Sequence, residues 1–415
     1  MKLWLFDDAV ADAWAPFALS RPVGELRFGA LLLRERTERW TGLAAEGHLT
    51  RPWLSAYEEP GAPPAVEPGD LPADEDRLLL ASRFVPAQGE KPADPAALRE
   101  TEEAAVLLAG GRPAGCWLPA GTGTPDRAWL AEPGELPGGR EVEVGGSLLE
   151  APWEIVALGT EALARDIRLL APGAAPAAGP SDLPDGVHLL GSGGLHLAPG
   201  VRIEPGAVLD ARGGPIWLGR GVEVLAGCRL EGPLRAGAGS RLLGGPIGPL
   251  SAGPVSYLRG EVADVHVLGW SNKAHDGHLG HAVLGRWVNL GAGTANSDLK
   301  NNYGSVRVGP PGRERDTGLL KMGSLLGDHA RTAIGIQLDT GTVVGAGANL
   351  FGPGRPPRWV PPFAWGFGEG AGRYRRDAFL ATAETVMGRR DVTATAGVRR
   401  WLGAVWDAAA EADAG

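Results

Sequence analysis

Residues 218–242 read LGRGVEVLAGCRLEGPLRAGAGSRL, and an apolar or small residue recurs there at every sixth position. The residues in this phase are Leu218, Val224, Leu230, Ala236 and Leu242. A period of six is typical of a parallel β-helix, in which each hexad forms one short strand and stacks its aliphatic side chain inward. The intervening glycines permit turns with positive φ, whereas an amphipathic α-helix would need a period of 3.6.

The same period reappears towards the C-terminus of the chain. Leu284 and Leu290 keep it. A later run keeps it as well, at Leu326, Thr332, Leu338, Val344 and Leu350. A flexible glycine-rich segment is the alternative interpretation, but aliphatic residues in register disfavour it. We therefore predict a parallel β-helix over residues 187–368.

The region before the repeats has a different pattern. Leu3–Phe6, Arg77–Ser82 and Ala104–Ala109 are apolar runs that predict buried strands, and Ala30–Arg36 has the spacing of an amphipathic helix. Strands that alternate with helices indicate an α/β layered domain, which we place at residues 1–170.

Two further segments flank the β-helix. Residues 171–186 are rich in Ala, Pro and Gly and predict a linker. Residues 369–415 return to helical spacing and predict a helical tail, with one apolar face at Val398, Trp401, Leu402, Val405, Trp406 and Ala409. We expect this tail to cap the open end of the β-helix or to pack on a neighbouring subunit.

Composition excludes several classes of function. The formal net charge of −9 argues against a nucleic-acid binder, which would need a basic face. Cys116 and Cys228 are far apart and predict buried thiols in a reducing compartment. Asp7 and Asp8 interrupt the N-terminus before a signal-peptide core could form, and no uncharged apolar run reaches the ~18 residues of a membrane span. We expect a cytoplasmic protein without a membrane partner.

Polar residues are concentrated in one part of the chain. All six asparagines lie between residues 272 and 349, and the densest stretches read SNKAHDGHLGH (271–281), VNLGAGT (288–294) and KNNYG (300–304). A neutral imidazole, such as that of His275, can take a proton from an amine or hydroxyl that attacks a thioester carbon. Lys273 could hold a phosphate, and Asn289, Asn302 and Tyr303 offer the neutral contacts that sugars require.

Other interpretations of these residues remain open. Asparagines often occupy β-helix turns for purely structural reasons. A zinc site could use His275, His278 and His281, with oxygen ligands from Asp276 and Asp328. The isolated histidines His48, His188 and His196 lack polar company and are interpreted as structural.

The three polar motifs resemble the acetyltransferase domain of the bifunctional N-acetylglucosamine-1-phosphate uridyltransferase/glucosamine-1-phosphate acetyltransferase. This resemblance implies that His275 is the general base and that Asn289, Asn302 and Tyr303 contact the acceptor. A tyrosine of that family is replaced here by His278, which we include among the expected substrate contacts. The resemblance also implies a left-handed β-helix, a homotrimer with sites between adjacent subunits, and acetyl-CoA as acyl donor.

Over nearly its whole length the chain is similar to sugar-nucleotidyltransferase-like proteins related to that enzyme, through LFDD (5–8) and LSRPVGELRFG (19–29). The N-terminal region lacks the Gly-rich phosphate loop of active nucleotidyltransferases. Arg21 and Arg27 could still bind phosphates, and Asp7 or Asp8 could hold Mg²⁺. The alternative is that these residues form ion pairs within a non-catalytic domain.

These observations predict an enzyme of sugar-nucleotide metabolism. The expected reaction is acyl transfer from acetyl-CoA to a sugar phosphate or nucleotide sugar by the β-helix domain. The alternatives are nucleotidyl transfer to a sugar 1-phosphate by the N-terminal domain, alone or in addition, and a non-catalytic scaffold that binds nucleotide sugars.

Overall fold

The computed structural model describes residues 1–87, 103–136 and 138–414. An α/β domain is followed by a long β-helix and two tail helices, as predicted. The N-terminal sheet has seven strands, in the spatial order Arg140–Glu143, Ala105–Ala109, Arg112–Leu118, Arg77–Ala81, Lys2–Phe6, Ala45–Leu49 and Ala65–Val66. Lys2–Phe6 pairs in parallel with both of its neighbours, whereas Arg112–Leu118 is antiparallel to both of its own.

The predicted core strands of this domain are confirmed. Leu3, Leu5, Leu79 and Leu107 are fully buried, because the apolar runs pack into one hydrophobic cluster. The predicted helix is shifted: it spans Leu33–Thr41. It begins late because Leu31–Leu32 pairs with Arg27–Phe28 as a short antiparallel strand. Among the residues that the structure describes, the other α-helices of this domain are Ala9–Asp12, Arg127–Ala131 and Glu154–Ala174.

The β-helix has three faces, which we call the first, second and third face in the order in which the chain enters them. The first face contains His188–Leu190, Val208–Asp210, Cys228–Glu231, Gly245–Ile247, Ala295–Asn296 and Gln337–Leu338. The second face contains Leu195–Leu197, Ile216–Leu218, Leu234–Ala236, Leu250–Ala252, Ser324–Leu326, Thr342–Val344 and Trp359–Val360. Two longer strands, Val262–Gly269 and Leu279–Arg286, run through both of these faces.

The third face carries most of the predicted functional residues. Its parallel strands are Arg202–Ile203, Glu223–Val224, Arg241–Leu242, Tyr257–Leu258, Asn272–Lys273, Asn289–Leu290, Arg331–Thr332, Asn349–Leu350 and Ala364–Trp365. Gly372–Arg373 pairs with the last strand in the antiparallel direction and covers its edge. The hexad residues Leu218, Val224, Leu230 and Leu242 are at most 1% exposed, which confirms inward stacking.

One coil carries a long insertion. The register partners Asn289 and Arg331 are 42 residues apart, whereas Arg331 and Asn349 are 18 apart. The inserted segment forms a hairpin of Arg307–Val308 with Arg315–Asp316. Its buried side chains pack in one cluster with the N-terminal domain, so the insertion joins the two parts of the chain.

The segment predicted as a linker begins within a helix. Helix Glu154–Ala174 includes its first four residues, because Ala171 is fully buried in a small cluster with Ile167. The chain then enters the β-helix through a bridge between Ala177 and His196. Helix Glu154–Ala174 also lies against the β-helix: Gly159 approaches His266 so closely that an added Cβ would be 2.4 Å from the imidazole Cε1.

The tail forms helices Arg376–Gly388 and Ala396–Ala414, as predicted. They pack along the side of the β-helix and reach the N-terminal domain of the same chain. Phe379 contacts Phe363 at a ring-centroid distance of 4.9 Å, and the Trp401 indole donates a hydrogen bond to the Ser20 carbonyl. The tail helices therefore contact both the β-helix and the N-terminal domain. None of the helices in the described residues has the length and apolar character needed to cross a membrane.

Candidate functional site

His275 lies at the corner where the third face turns into the first. Strand Asn272–Lys273 ends directly before it, and the chain bends through Gly277, at a φ of 134°, into strand Leu279–Arg286. His275 is exposed, and its ring makes no hydrogen bond within the described chain. The neighbouring Asp276 is engaged by Arg259, with Nε 3.0 Å from Oδ1. The imidazole is thus free to meet an acceptor from solvent.

The prediction that Lys273 binds a phosphate is wrong for this structure. Lys273 pairs in register with Leu258, occupies an inward position of the coil and is 1% exposed. Its Nζ donates hydrogen bonds to the carbonyl oxygens of Arg259, at 3.1 Å, and of His275. Burial lowers the pKa of Lys273 to about 8. Lys273 therefore fixes the turn of His275 from inside the β-helix.

Asn289 points outward on the third face, one coil after Asn272. The Asn272 amide Nδ2 donates a hydrogen bond of 3.0 Å to the Asn289 Oδ1. This leaves the Asn289 Nδ2 group free to donate and the Asn272 Oδ1 free to accept on the outer surface. The pair offers the kind of neutral contacts that were expected for a sugar.

Asn302 and Tyr303 lie on the insertion and not on the rungs of the β-helix. Tyr303 is 70% exposed and adopts a φ of 54°, and the Asn302 Oδ1 accepts a hydrogen bond from the Gly304 amide. Within the described residues, no hydrogen bond or ion pair connects either residue with His275 or Asn289. The structure of the single chain does not bring these expected acceptor contacts together.

His278 belongs to a group of histidines and carboxylates on the first face. Its Nδ1 is 3.3 Å from Glu261 and its Nε2 is 3.6 Å from Asp298. His281, at a φ of 48°, places Nδ1 2.7 Å from the same Asp298 and Nε2 3.5 Å from Asp264. The nearby Asp298 carboxylate raises the pKa of His278, and the two imidazoles hold the pKa of Asp298 well below its usual range.

The carboxylates of this group were missed by sequence reasoning. A signal for them exists: Asp298 follows His281 by 17 residues, and Glu261 precedes His278 by the same number, which is one coil of this region. The three-histidine zinc interpretation is not supported, because the described chain contains no group of three or more metal-ligating side chains with suitable geometry. Asp328, its second oxygen ligand, is buried elsewhere.

Two of the three histidines interpreted as structural, His48 and His196, are buried. His48 is fully buried, with Nε2 2.9 Å from Glu25, and the His196 Nδ1 lies 3.3 Å from the Ala175 carbonyl. His188 is exposed in the first coil. None of these three contacts the His275 corner through a hydrogen bond or ion pair in the described residues.

The two arginines predicted to bind phosphate are buried in the N-terminal domain. The Arg21 guanidinium donates to both carboxylate oxygens of Glu59, at 3.0 and 2.9 Å, and its Nε lies 2.8 Å from Asp328. Arg27 is 6% exposed and donates to the Ala30 carbonyl at 2.6 Å. Both arginines have internal partners, so neither presents an open phosphate-binding surface.

The two aspartates predicted to hold Mg²⁺ are also engaged. Asp7 accepts a hydrogen bond from Thr50 at 2.6 Å and lies 3.1 Å from Arg51. Asp8 caps helix Ala9–Asp12 and pairs with Arg83 at 2.8 Å. Carboxylates neutralised by arginines do not fit a divalent cation. The geometry favours the interpretation in which these residues form ion pairs within the domain.

Comparison with known proteins agrees with the architecture. Residues 3–175 match the family of sugar nucleotidyl transferases, so the N-terminal α/β domain is nucleotidyltransferase-like. A bifunctional sugar-1-phosphate nucleotidylyltransferase/acetyltransferase of Sulfurisphaera tokodaii is 30% identical over 113 residues, which cover 24% of this chain and 28% of the relative.

Two bacterial relatives match a longer part of the chain. The bifunctional protein GlmU of Acidithiobacillus ferrooxidans is 29% identical over 171 residues, which cover 39% of this chain and 33% of the relative. GlmU of Methylococcus capsulatus is 28% identical over 172 residues, which cover 40% and 33% respectively. The matches thus span about a third or less of the length of these relatives.

Proposed function

We propose that this chain is a transferase of sugar-nucleotide metabolism, and that its β-helix transfers an acetyl group from acetyl-CoA to a sugar phosphate or nucleotide sugar. The observation that carries the proposal is an exposed His275, held in a β-helix turn by an interior Lys273 next to the outward amides of Asn272 and Asn289. The name of the Sulfurisphaera relative, which couples nucleotidyl and acetyl transfer, supports the same reaction class.

In the proposed reaction His275 acts as the general base. Its unprotonated ring nitrogen accepts the proton of the acceptor amine or hydroxyl while that group attacks the thioester carbonyl carbon, a role that contributes about 10²–10⁴-fold to the rate. The tetrahedral intermediate then collapses, the C–S bond breaks, and the CoA thiolate takes up the proton that His275 received. Backbone N–H groups of the glycine-containing turn can stabilise the oxyanion.

The exposed insertion suggests how a complete site is assembled. We expect a homotrimer, because the family resemblance implies sites between adjacent β-helices. Tyr303 is 70% exposed and unattached to the rungs of its own chain, so it is available to the His275 corner of a neighbouring subunit. Asn302 and Tyr303 would then contact an acceptor held by another subunit's Asn289.

The test is the replacement of His275 by Ala. Release of CoA thiol from acetyl-CoA, with sugar phosphates as acceptors, should fall by about 100-fold or more because the base is lost. The melting temperature should stay constant, since the ring is exposed and makes no hydrogen bond in the described chain. His188→Ala removes another exposed imidazole and serves as the matched control. Unchanged turnover in His275→Ala would remove this residue from the mechanism.

Nucleotidyl transfer by the N-terminal domain is a second candidate, favoured by the family match of residues 3–175. Because Asp7 and Asp8 do not fit Mg²⁺ and Arg21 is buried, we assign no step of that reaction to these residues. The measurement is pyrophosphate release from nucleoside triphosphates with a sugar 1-phosphate and Mg²⁺. Release at the level of a protein-free blank would leave the domain with a structural role.

A further inference from the structure

A cavity of about 330 Å³ lies between the third face and the first tail helix. The β-helix contributes the outward residues of successive rungs, and the end of helix Arg376–Gly388 contributes the rest. Its lining includes Tyr257, Asn272, Asn289, Arg331, Arg389 and Arg390. The cavity therefore shares its two asparagines with the proposed acceptor site, but its arginines come from parts of the chain that no motif identified.

The three arginines lack carboxylate partners. Arg331, Arg389 and Arg390 form no ion pair with any described residue. Arg241 of the third face and Arg376 of the tail do have such partners: Arg241 lies 2.7 Å from Glu223, and Arg376 lies 2.9 Å from Asp407. The cavity thus gathers three arginines without the counter-charges that these two have.

Arg331 shows the electrostatic consequence. Burial, together with the positive charge of Arg389, lowers the pKa of Arg331. Its Nη2 is buried and has no hydrogen-bond partner in the described chain. Like charges at close range in a partly desolvated site repel each other, so the arrangement is unfavourable unless an anion enters.

Arg390 is held in place by an aromatic ring. Its guanidinium carbon lies 3.8 Å from the centroid of Tyr257, which is a close cation–π contact. A guanidinium has planar N–H donors that match the oxygens of a phosphate, and such charge-assisted pairs are the strong ones. Three guanidinium groups line this one cavity beside two side-chain amides, and the neutral amides suit sugar hydroxyls.

We propose that this cavity binds the phosphate or diphosphate group of the acceptor, with Arg331, Arg389 and Arg390 as its ligands. The identity of the acceptor rests on the proposed function, but the binding of a phosphoryl group does not. His275 follows Asn272 by three residues, so their Cα atoms are at most about 11 Å apart. A sugar whose phosphate lies among the arginines can therefore extend along the two amides towards His275.

Equilibrium binding to the full-length chain tests this inference. Isothermal titration calorimetry with glucosamine 1-phosphate, inorganic pyrophosphate and CoA would compare wild type with Arg331→Gln and with the double variant Arg389→Gln/Arg390→Gln. We expect the dissociation constants for glucosamine 1-phosphate and pyrophosphate to rise about tenfold or more in both variants, because each loses charge-assisted bonds. Free glucosamine, which lacks the phosphate, should show no difference between the proteins.

A matched control separates the site from general surface charge. Arg375→Gln/Arg400→Gln removes two exposed tail arginines without ion pairs in the described chain and should leave binding within about twofold of wild type. His275→Ala should also bind normally, so loss of acetyl transfer with intact binding would separate the two proposals.

Three results would overturn the inference. Equal weakening in the control pair would show a non-specific charge effect. If the arginine variants bound CoA more weakly but bound glucosamine 1-phosphate and pyrophosphate as wild type does, the cavity would be assigned to the acyl donor. A wild-type chain that binds no phosphate, with variants of altered oligomeric mass, would assign the arginines to a subunit interface.

Discussion

Arg21 of the N-terminal domain and Asp328 of the β-helix form a buried ion pair, with Nε 2.8 Å from Oδ2 and side chains only 1% and 2% exposed. The same carboxylate accepts a hydrogen bond from Ser20 at 2.6 Å and another from the Arg286 amide at 2.7 Å. Three donors from two domains therefore meet at one carboxylate, and the domains are joined by charge as well as by apolar contact.

Removal of Asp328 should destabilise the protein strongly. Asp328→Ala leaves Arg21 buried with only Glu59 as a partner, and breaking such a buried pair costs about 3–5 kcal/mol. Urea unfolding at neutral pH measures the loss. Asp339→Ala, which breaks an exposed pair with Arg355, is the control and should cost less than about 1 kcal/mol. A similar cost for both variants would contradict the importance of the domain junction.

The Lys273 ammonium should make stability rise with pH. Burial lowers its pKa to about 8 from its ordinary value of 10.5, so the unfolded chain binds more protons at this site between these two values. Stability therefore increases as the pH rises through that window. Lys273→Met lacks this increment, and its free energy of unfolding relative to wild type should decline between pH 7.5 and pH 9.5. A constant difference would show that burial does not lower the pKa of Lys273.

The repeat was readable from the sequence because inward stacking depends on a local period. Lys273 was misread because the period slips: the inward residues Leu242, Leu258 and Lys273 are separated by 16 and 15 residues, not by 18. Each shortened coil moves the phase, so a lysine expected at the surface lies inside. The motif around His275 could be found without knowing this phase.

Contacts between distant parts of the chain were not readable. Arg21 pairs with Asp328 across 307 residues, and no periodicity relates the two positions. Arg389 and Arg390 reach the third face only because the tail folds back along the β-helix. These placements follow from tertiary packing, which local spacing does not encode.

The contact between Asp298 and His278 should stabilise the protein most between about pH 4 and pH 6.5. Asp298 has a lowered pKa, so its contribution is lost as the pH falls through that lowered value; His278 has a raised pKa, so its contribution is lost as the pH rises through that raised value. Asp298→Asn should therefore lower the free energy of unfolding more at pH 5.5 than at pH 8.5. The difference should be about 1 kcal/mol, because the pair is partly exposed.

Asp276→Asn provides the comparison for this pH effect. Asp276 is an exposed carboxylate near the same corner, and its partner is the guanidinium of Arg259 instead of an imidazole. Its replacement should cost little, and the same amount at both pH values. A pH-independent loss in Asp298→Asn would show that His278 does not titrate against this carboxylate.

Two glycines of helix Glu154–Ala174 should respond to alanine with opposite sign. Alanine is favoured over glycine in a helix by about 1 kcal/mol, and at Gly173 a new Cβ meets nothing within 4 Å, so Gly173→Ala should be neutral or stabilising. At Gly159 the Cβ would lie 2.4 Å from the buried His266 ring, and overpacking of this kind costs about 1–3 kcal/mol. Thermal unfolding of both variants measures the difference. Equal stability of the two would mean that His266 can move away, and that the helix is not tightly fitted to the β-helix.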